Sequence, residues 1–421
     1  MSTFLKSCSK FERMLFLYIS LFGLHGILVL PLIGNKAQLS DLLFPILAYY
    51  FYQENKDRIQ EVVIPKWPLI GLAVLLDIGL ISAILNYNLN TLLESLARYY
   101  LFLLAAMVFV HFYFKTSAFR FELFKYAFVT AAVCGSIIGL SGVALQYIGI
   151  ENQAALFYPD FPYIGDTYRL TAFFAAPNML VLLFGLAISF LLENRSSRYL
   201  KTATIIIIIG LAFSFAKGLL LILPLVLSRY MVNKNKWLRP IVWTPFIIAF
   251  ILLSHLQLKS IDGNPNTMYG SEDSVYKTES LQILKTSYTT NKETALAAFQ
   301  TAPLFGLGNG NFNAFVDQQK QAEKYPVHYY SYDPHSTWFG TLAELGIFAL
   351  FALCSFVFYL IINSKKLDRS EHINKALLGF FLILLIESIS MDMLNFRFLY
   401  ILLGLFILQI ESHRKKETSV H

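Results

Sequence analysis

Apolar runs recur along the chain from Met14 to Ile410, most of them close to the roughly 20 residues that a helix needs to cross a bilayer. They fall at 14–34, 39–53, 67–86, 95–114, 124–149, 176–192, 200–214, 217–232, 238–256, 336–362, 375–391 and 396–411. Short polar connectors separate them, so the pattern predicts an all-α, polytopic membrane protein with about twelve transmembrane helices. Run 39–53 is shorter than a straight crossing requires, and the hairpin around Phe215 and Ala216 is tight, which leaves the count open by one or two. The one long connector, 257–335, lies between predicted helices nine and ten. It is polar at first, from Ser260 to Ser274, and helix-like from Ser274 to Thr301. Residues 1–421 thus read as a single integral membrane domain.

Composition agrees: 56% of the residues are hydrophobic, 16% aromatic and only 14% charged, more apolar surface than a soluble core hides. Lipid is the expected solvent for most of it. The first run follows Lys6, Lys10 and Arg13 as a signal peptide would, but no small-x-small cleavage site follows, so it reads as a retained first helix. Cys8, Cys134 and Cys354 lie far apart without metal-ligand spacing, so neither a disulfide framework nor a zinc site is expected. The net charge of +7 is scattered beside helix ends, which speaks for membrane orientation and against a nucleic-acid partner.

Alternate connectors are rich in base: Lys56, Arg58 and Lys66; Lys115, Arg120 and Lys125; Arg195, Arg198 and Lys201; Arg229, Lys234, Lys236 and Arg239; Lys365, Lys366, Arg369 and Lys375; then Arg414 to Lys416. Under the positive-inside rule these and both termini face the cytoplasm. The intervening connectors avoid base, and the 26 residues from Ile150 to Ala175 hold only Arg169. Arg169, Lys217 and Arg397 are therefore conspicuous, each expected at the outer start of a helix. Cations there are unfavourable unless an anion is near, and converging helix starts make a phosphate site. Chance or interfacial anchoring explains any one of them; three together favour a shared task.

Within the long loop, the glycine-rich stretch from Thr301 to Phe312 lacks the strand and crossover helix of a dinucleotide fingerprint, so no nucleotide site is expected. The loop closes on His328-Tyr-Tyr-Ser-Tyr-Asp-Pro-His335-Ser-Thr-Trp-Phe-Gly-Thr-Leu-Ala-Glu344-Leu-Gly346. Pro334 and Ser336 suit a helix start. His335 then sits at the membrane boundary, where it is either a general base for a substrate hydroxyl or an interfacial histidine held by backbone bonds. A metal pair with His328 matches no strong ligand spacing.

Four stretches resemble the O-antigen ligase and polymerase superfamily, multispanning enzymes that move glycans from undecaprenyl diphosphate to an acceptor. Tyr168-Arg-Leu-Thr-Ala-Phe-Phe-Ala-Ala-Pro-Asn178 is similar to its Arg-Leu-Thr-Gly entry to a helix, and Ser214-Phe-Ala-Lys-Gly218 to its Ser-Arg-Gly hairpin. Pro303-Leu-Phe-Gly-Leu-Gly-Asn-Gly-Asn-Phe312 and His335-Ser to Glu344-Leu-Gly346 resemble its Pro-Leu-x-Gly-x-Gly and His-Asn elements. The likeness covers roughly 165–350. Ala172 stands for the usual glycine, Lys217 for the usual arginine and Ser336 for the usual asparagine. Lys277, Lys285 and Lys292 are candidates for the loop arginine, with Lys292 and Lys277 preferred.

The resemblance implies a glycosyltransferase of the bacterial cytoplasmic (inner) membrane, working without metal or other cofactor and inverting the anomeric centre. His335 would be its base, and Arg169, Lys217, Lys292, Lys277 and Arg397 would bind the diphosphate, supported by Asn178, Ser336 and Glu344. Its partners would be an undecaprenyl-diphosphate-linked glycan donor, a glycan or lipid-core acceptor and membrane lipid. Tyr325 to Tyr332 and Phe157 to Tyr168 would stack on sugars or form an aromatic belt. Asp77, Glu387 and Asp392 keep a proton-coupled carrier open, with Asp77 placed to pair with Arg98. A noncatalytic scaffold would leave His335, Arg169 and Lys217 without a common purpose.

Overall fold

The computed structural model describes the chain apart from residues 25–37, 64–65, 87–88, 162–164, 175, 195–196, 232–237, 261–273, 278–280, 323–332 and 419–421. Its helices are α1 (Ser2–Ser7), α2 (Lys10–Ser20), α3 (Phe44–Asn55), α4 (Lys66–Leu85), α5 (Leu89–Phe112), α6 (Ser117–Tyr147), α7 (Pro177–Leu191), α8 (Arg198–Ser214), α9 (Leu219–Met231), α10 (Leu238–His255), α11 (Ser287–Thr301), α12 (Phe312–Gln321), α13 (Thr337–Ser364), α14 (His372–Glu387) and α15 (Arg397–Thr418). Each of the twelve apolar runs holds one of these helices, and α1, α11 and α12 lie outside them. The second half of the first run lies outside the described residues.

Among the described residues, 4 helices are long and apolar enough to cross a membrane by length and composition: Thr91–Phe112, Ser117–Tyr147, Leu238–His255 and Thr337–Ser364. Ile70–Leu85, Pro177–Leu191 and Leu219–Tyr230 are shorter apolar helices. Ile205, Ile208 and Ile209 on α8, with Phe351 and Phe358 on α13, turn outward and exposed. Such a surface suits a lipid solvent. Phe121, Phe124 and Phe128 of α6 and Phe184 and Phe190 of α7 fill the interior. Short α3, at 12 residues, spans only about 18 Å.

The chain is not purely helical. In the connector before α7, β1 (Ala155–Phe161) pairs antiparallel with β2 (Gly165–Leu170). In the long loop, β3 (Leu256–Ser260), β4 (Ser274–Lys277) and β5 (Leu281–Lys285) form an antiparallel sheet in the order β3-β5-β4. The stretch expected to be helical from Ser274 therefore begins as strands and turns helical only at Ser287.

The glycine-rich turn is a structural brace. At Gly346, α13 breaks its helical path (φ 77°, ψ −170°). The turn supplies substitutes for the lost helical bonds: Leu307 N–H donates to Ala343 O (3.0 Å), Gly308 N–H to Glu344 O (2.8 Å), and Ile347 N–H to Pro303 O (2.9 Å). A Cβ on Gly346 would lie 2.3 Å from Leu304 O, and one on Gly306 2.3 Å from the Glu344 carbonyl carbon. Both also take positive φ, so glycine is required twice over.

The two ends of the bundle differ in chemistry. Base-rich connectors meet at one end, where Glu193 behind α7 faces Arg229, His372 and Lys375. The β1–β2 hairpin, the α8–α9 turn, the α10–α11 junction, the start of α13 and the end of α14 meet at the other.

Candidate functional site

His335 opens α13. Asp333 Oδ1 accepts the His335 backbone N–H at 2.7 Å, and Ser336 caps the helix by accepting the Phe339 N–H at 3.4 Å. This bend forces His335 to φ 49°, a left-handed conformation that a histidine adopts only when its surroundings hold it there. The hold comes from α14: Thr337 N–H donates to Ser388 O (2.9 Å) and Met391 O (3.0 Å), Thr337 Oγ1 to Met391 O (2.8 Å), and Trp338 Nε1 to Ser388 Oγ (2.8 Å).

The His335 ring lies on Tyr288 of α11, with ring centroids 4.6 Å apart. Tyr288 is the hub of the site. Lys217 Nζ sits 3.6 Å above its ring centre, and Asn178 Nδ2, at the start of α7, donates to its hydroxyl at 3.3 Å. Burial and the negative charges of Glu387 and Asp333 push the phenol up to about 12, so it stays neutral.

Three cations converge here. Lys217 follows Phe215, whose left-handed φ of 45° ends α8 and turns the chain toward α9. Its Nζ is buried and has no hydrogen-bond partner among the described residues. Lys292 projects one turn beyond Tyr288 on α11 and bonds His255 Nε2 at 2.6 Å. Arg169, on β2, reaches the end of α8, donating from Nε to Ser214 O (3.2 Å) and from a terminal nitrogen to Phe215 O (2.9 Å). Its guanidinium carbon lies 5.0 Å from the Tyr158 ring centre. Neither lysine nor Arg169 makes an ion pair with a carboxylate among the described residues. Glu387 lies nearby on α14, its Oε1 3.9 Å from where a Cβ on Gly218 would stand, and both its carboxylate oxygens are buried without hydrogen-bond partners.

Burial and mutual repulsion set the electrostatics of this cluster. Burial lowers Lys292 to about 8 and also lowers Arg169. Burial first, then the charges of Lys217 and Lys292, depress His335 to about 4, so its imidazole is neutral near pH 7. Asp333 is raised by burial, and its Oδ2 lies 3.9 Å from His335 Nδ1.

Several expectations need correction. Arg169 does not start a helix; it sits in a strand and caps the carbonyl end of α8, where a cation is favourable. Arg397 does start α15, but it makes a bidentate pair with Asp41 (3.1 and 2.6 Å) in place of joining the other cations. Asp41 also accepts from Tyr100, which contacts the Tyr18 hydroxyl. Glu344 accepts the Gly310 N–H at 3.0 Å and lies 3.9 Å from Arg98, so it supports the glycine-rich turn, a role apart from the His335 cluster. Asp77 takes its bond from Tyr99, not from Arg98. Lys277 lies in β4 with its side chain outside the described residues, and Lys285 pairs with Glu293 at 3.4 Å. His328 and the Tyr325 to Tyr332 run also lie outside them.

Tyr288 and His255 escaped the sequence reading. Tyr288 and Lys292 are four residues apart on a polar loop helix, a spacing that puts both on one face. Glu387 was visible as an acid in an apolar run, but nothing local tied it to Lys217.

Residues 164–354 match the model of the O-antigen ligase family. No curated protein matches the chain.

Proposed function

We propose that this chain, which belongs to the O-antigen ligase superfamily through residues 164–354, transfers a polyprenyl-diphosphate-linked glycan to an acceptor hydroxyl at the outer face of a bacterial inner membrane. The observation that carries the reading is the meeting of Arg169, Lys217 and Lys292 around Tyr288, without carboxylate ion pairs, one ring from His335.

The steps follow from charge. Lys217, Lys292 and Arg169 hold the donor's diphosphate. His335 removes the proton of the acceptor hydroxyl, whose oxygen bonds to the anomeric carbon from the face opposite the diphosphate. The bond from that carbon to the diphosphate oxygen breaks, and the electron pair leaves with the diphosphate. Negative charge grows on the leaving group, so preorganised cations are the larger contribution to the rate. Bound diphosphate also offsets the lysine charges that depress His335, moving its basicity back toward the ordinary histidine range near 6.5. Asp333 orients the ring. The energy resides in the donor's phosphoester linkage.

Ligase and polymerase versions share this chemistry and differ in acceptor: a lipid core in one, a growing glycan in the other. His335→Ala is expected to abolish transfer while the protein stays inserted and donor lipid accumulates. Transfer at the wild-type rate in His335→Ala membranes removes the general-base role. A gel of surface glycan from a deletion strain separates the two versions, because a core bearing one repeat indicates a polymerase and a bare core a ligase.

A further inference from the structure

The last two residues of α10 are tied to the N-cap and first turn of α11 by three bonds. Thr286 N–H donates to His255 O at 3.0 Å, Thr286 Oγ1 to Ser254 O at 2.7 Å, and Thr289 Oγ1 to His255 O at 3.2 Å. These satisfy carbonyls that a helix end leaves open, and they fix where Lys292 emerges relative to the His255 ring.

The ring's own state follows from its neighbours. His255 Nδ1 lies 2.9 Å from Ile251 O, and a carbonyl only accepts, so Nδ1 carries the proton. Nε2 is then a lone-pair acceptor, and it takes a bond from Lys292 Nζ at 2.6 Å. A protonated imidazole would present N–H toward an ammonium and repel it. The ring holding Lys292 is therefore neutral, and the lysine keeps its whole positive charge. Phe339, with its ring centre 6.0 Å from Nζ, adds a second uncharged contact.

A carboxylate at this position would hold the ammonium at least as firmly, but it would cancel the charge that a diphosphate needs. From these contacts we infer that His255 is a positioning residue for the donor site: it aims Lys292 through a charge-neutral hydrogen bond, so that the lysine stays available to an anionic ligand. This rests on Lys292 being a diphosphate ligand.

The test measures undecaprenyl diphosphate affinity of the purified full chain in lipid nanodiscs, alongside glycan transfer in membranes. Removing a hydrogen bond to a charged group, His255→Ala, is expected to weaken affinity about tenfold. His255→Gln, which keeps a neutral acceptor, restores most of it. His255→Glu, which keeps an acceptor but adds charge, weakens affinity on the order of 100-fold. A merely structural histidine would treat Gln and Glu alike, so equal affinities in those two variants overturn the proposal, as does wild-type affinity in His255→Ala. Lys292→Ala separates this from the underlying reading: if it binds undecaprenyl diphosphate as wild type does, Lys292 is no ligand and both fall; if it binds weakly while all three His255 variants bind normally, only the positioning role falls.

Discussion

The two ends of the helix bundle handle cations in opposite ways. At the base-rich end, Glu193 is 3% exposed and collects Arg229 at 2.5 Å, His372 at 3.3 Å and Lys375 at 3.9 Å. Glu12, fully buried, likewise takes Lys115 at 2.7 Å and His111 at 3.1 Å. At the other end Lys217 has aromatic rings and the nearby charge of Glu387 without an ion pair, Lys292 has a neutral histidine, and Arg169 has backbone carbonyls. The first arrangement is electrically complete and serves stability. The second spends folding free energy on charges without a carboxylate ion pair among the described residues, an arrangement more common at functional sites than at structural ones.

Removing one charge from each system exposes the difference most sharply. Lys217→Met is expected to weaken undecaprenyl diphosphate binding on the order of 100-fold, since a charge-assisted contact in a buried site is lost. Its thermal unfolding in detergent should stay within about 1 kcal/mol of wild type, because Lys217 Nζ has no hydrogen bond to lose. Glu193→Gln should do the reverse: ligand affinity unchanged, but stability lower by about 2 kcal/mol, discounted from the cost of breaking a buried pair because its partners are partly exposed. Equal effects of both variants on affinity would erase the distinction between the two ends.

A subtler consequence lies in pH. His335 must be unprotonated to act as base, so kcat/KM, which reports the free enzyme, is expected to fall on acidification only near its depressed value of about 4. On the alkaline side it should fall as Lys292 loses its proton near 8. In the donor-bound complex the diphosphate offsets the lysine charges but not the burial, so the acid limb of kcat should lie above that of kcat/KM. Coincident acid limbs in the two profiles would show that His335 does not sense the bound charge. Lys292→Arg should shift the Lys292 share of that limb upward, leaving the share that the buried Lys217 contributes, since guanidinium keeps its proton there.

Much of this was readable from local patterns. Twelve apolar runs each contain a helix because hydrophobicity along one segment is a local property, and Ser336 caps α13 because capping involves neighbours only. The scarcity of base in one set of connectors singled out Arg169 and Lys217, which the fold brings to the same turn after α8. It could not say that Arg169 would arrive on a strand and grip α8, since the β1–β2 pairing joins residues by backbone bonds that side-chain pattern barely signals. Arg397 was misassigned for a similar reason: its partner Asp41 lies 356 residues away, and no charge count along a connector reveals it. Tyr288 and His255 entered the site through the packing of α11 on α10 and α13, which is tertiary information.

The smallest expected effect concerns Ala172, which stands where the Arg-Leu-Thr-Gly pattern that this stretch resembles has glycine. Ala172 is fully buried with φ 50°, and Phe173 follows at φ 69°, so the chain makes a left-handed turn between Arg169 and α7. Ala172 N–H and Thr171 N–H both donate to Ala154 O, at 2.9 and 3.1 Å, which pins that turn to the hairpin carrying Arg169. A Cβ in this conformation costs about 1 kcal/mol, partly offset by the extra freedom glycine has when unfolded. Ala172→Gly should therefore stabilise the protein by about 0.5 kcal/mol and leave undecaprenyl diphosphate affinity unchanged. If affinity rises instead, a glycine at this position serves close approach of ligand to backbone, and the site extends past Arg169 onto this turn.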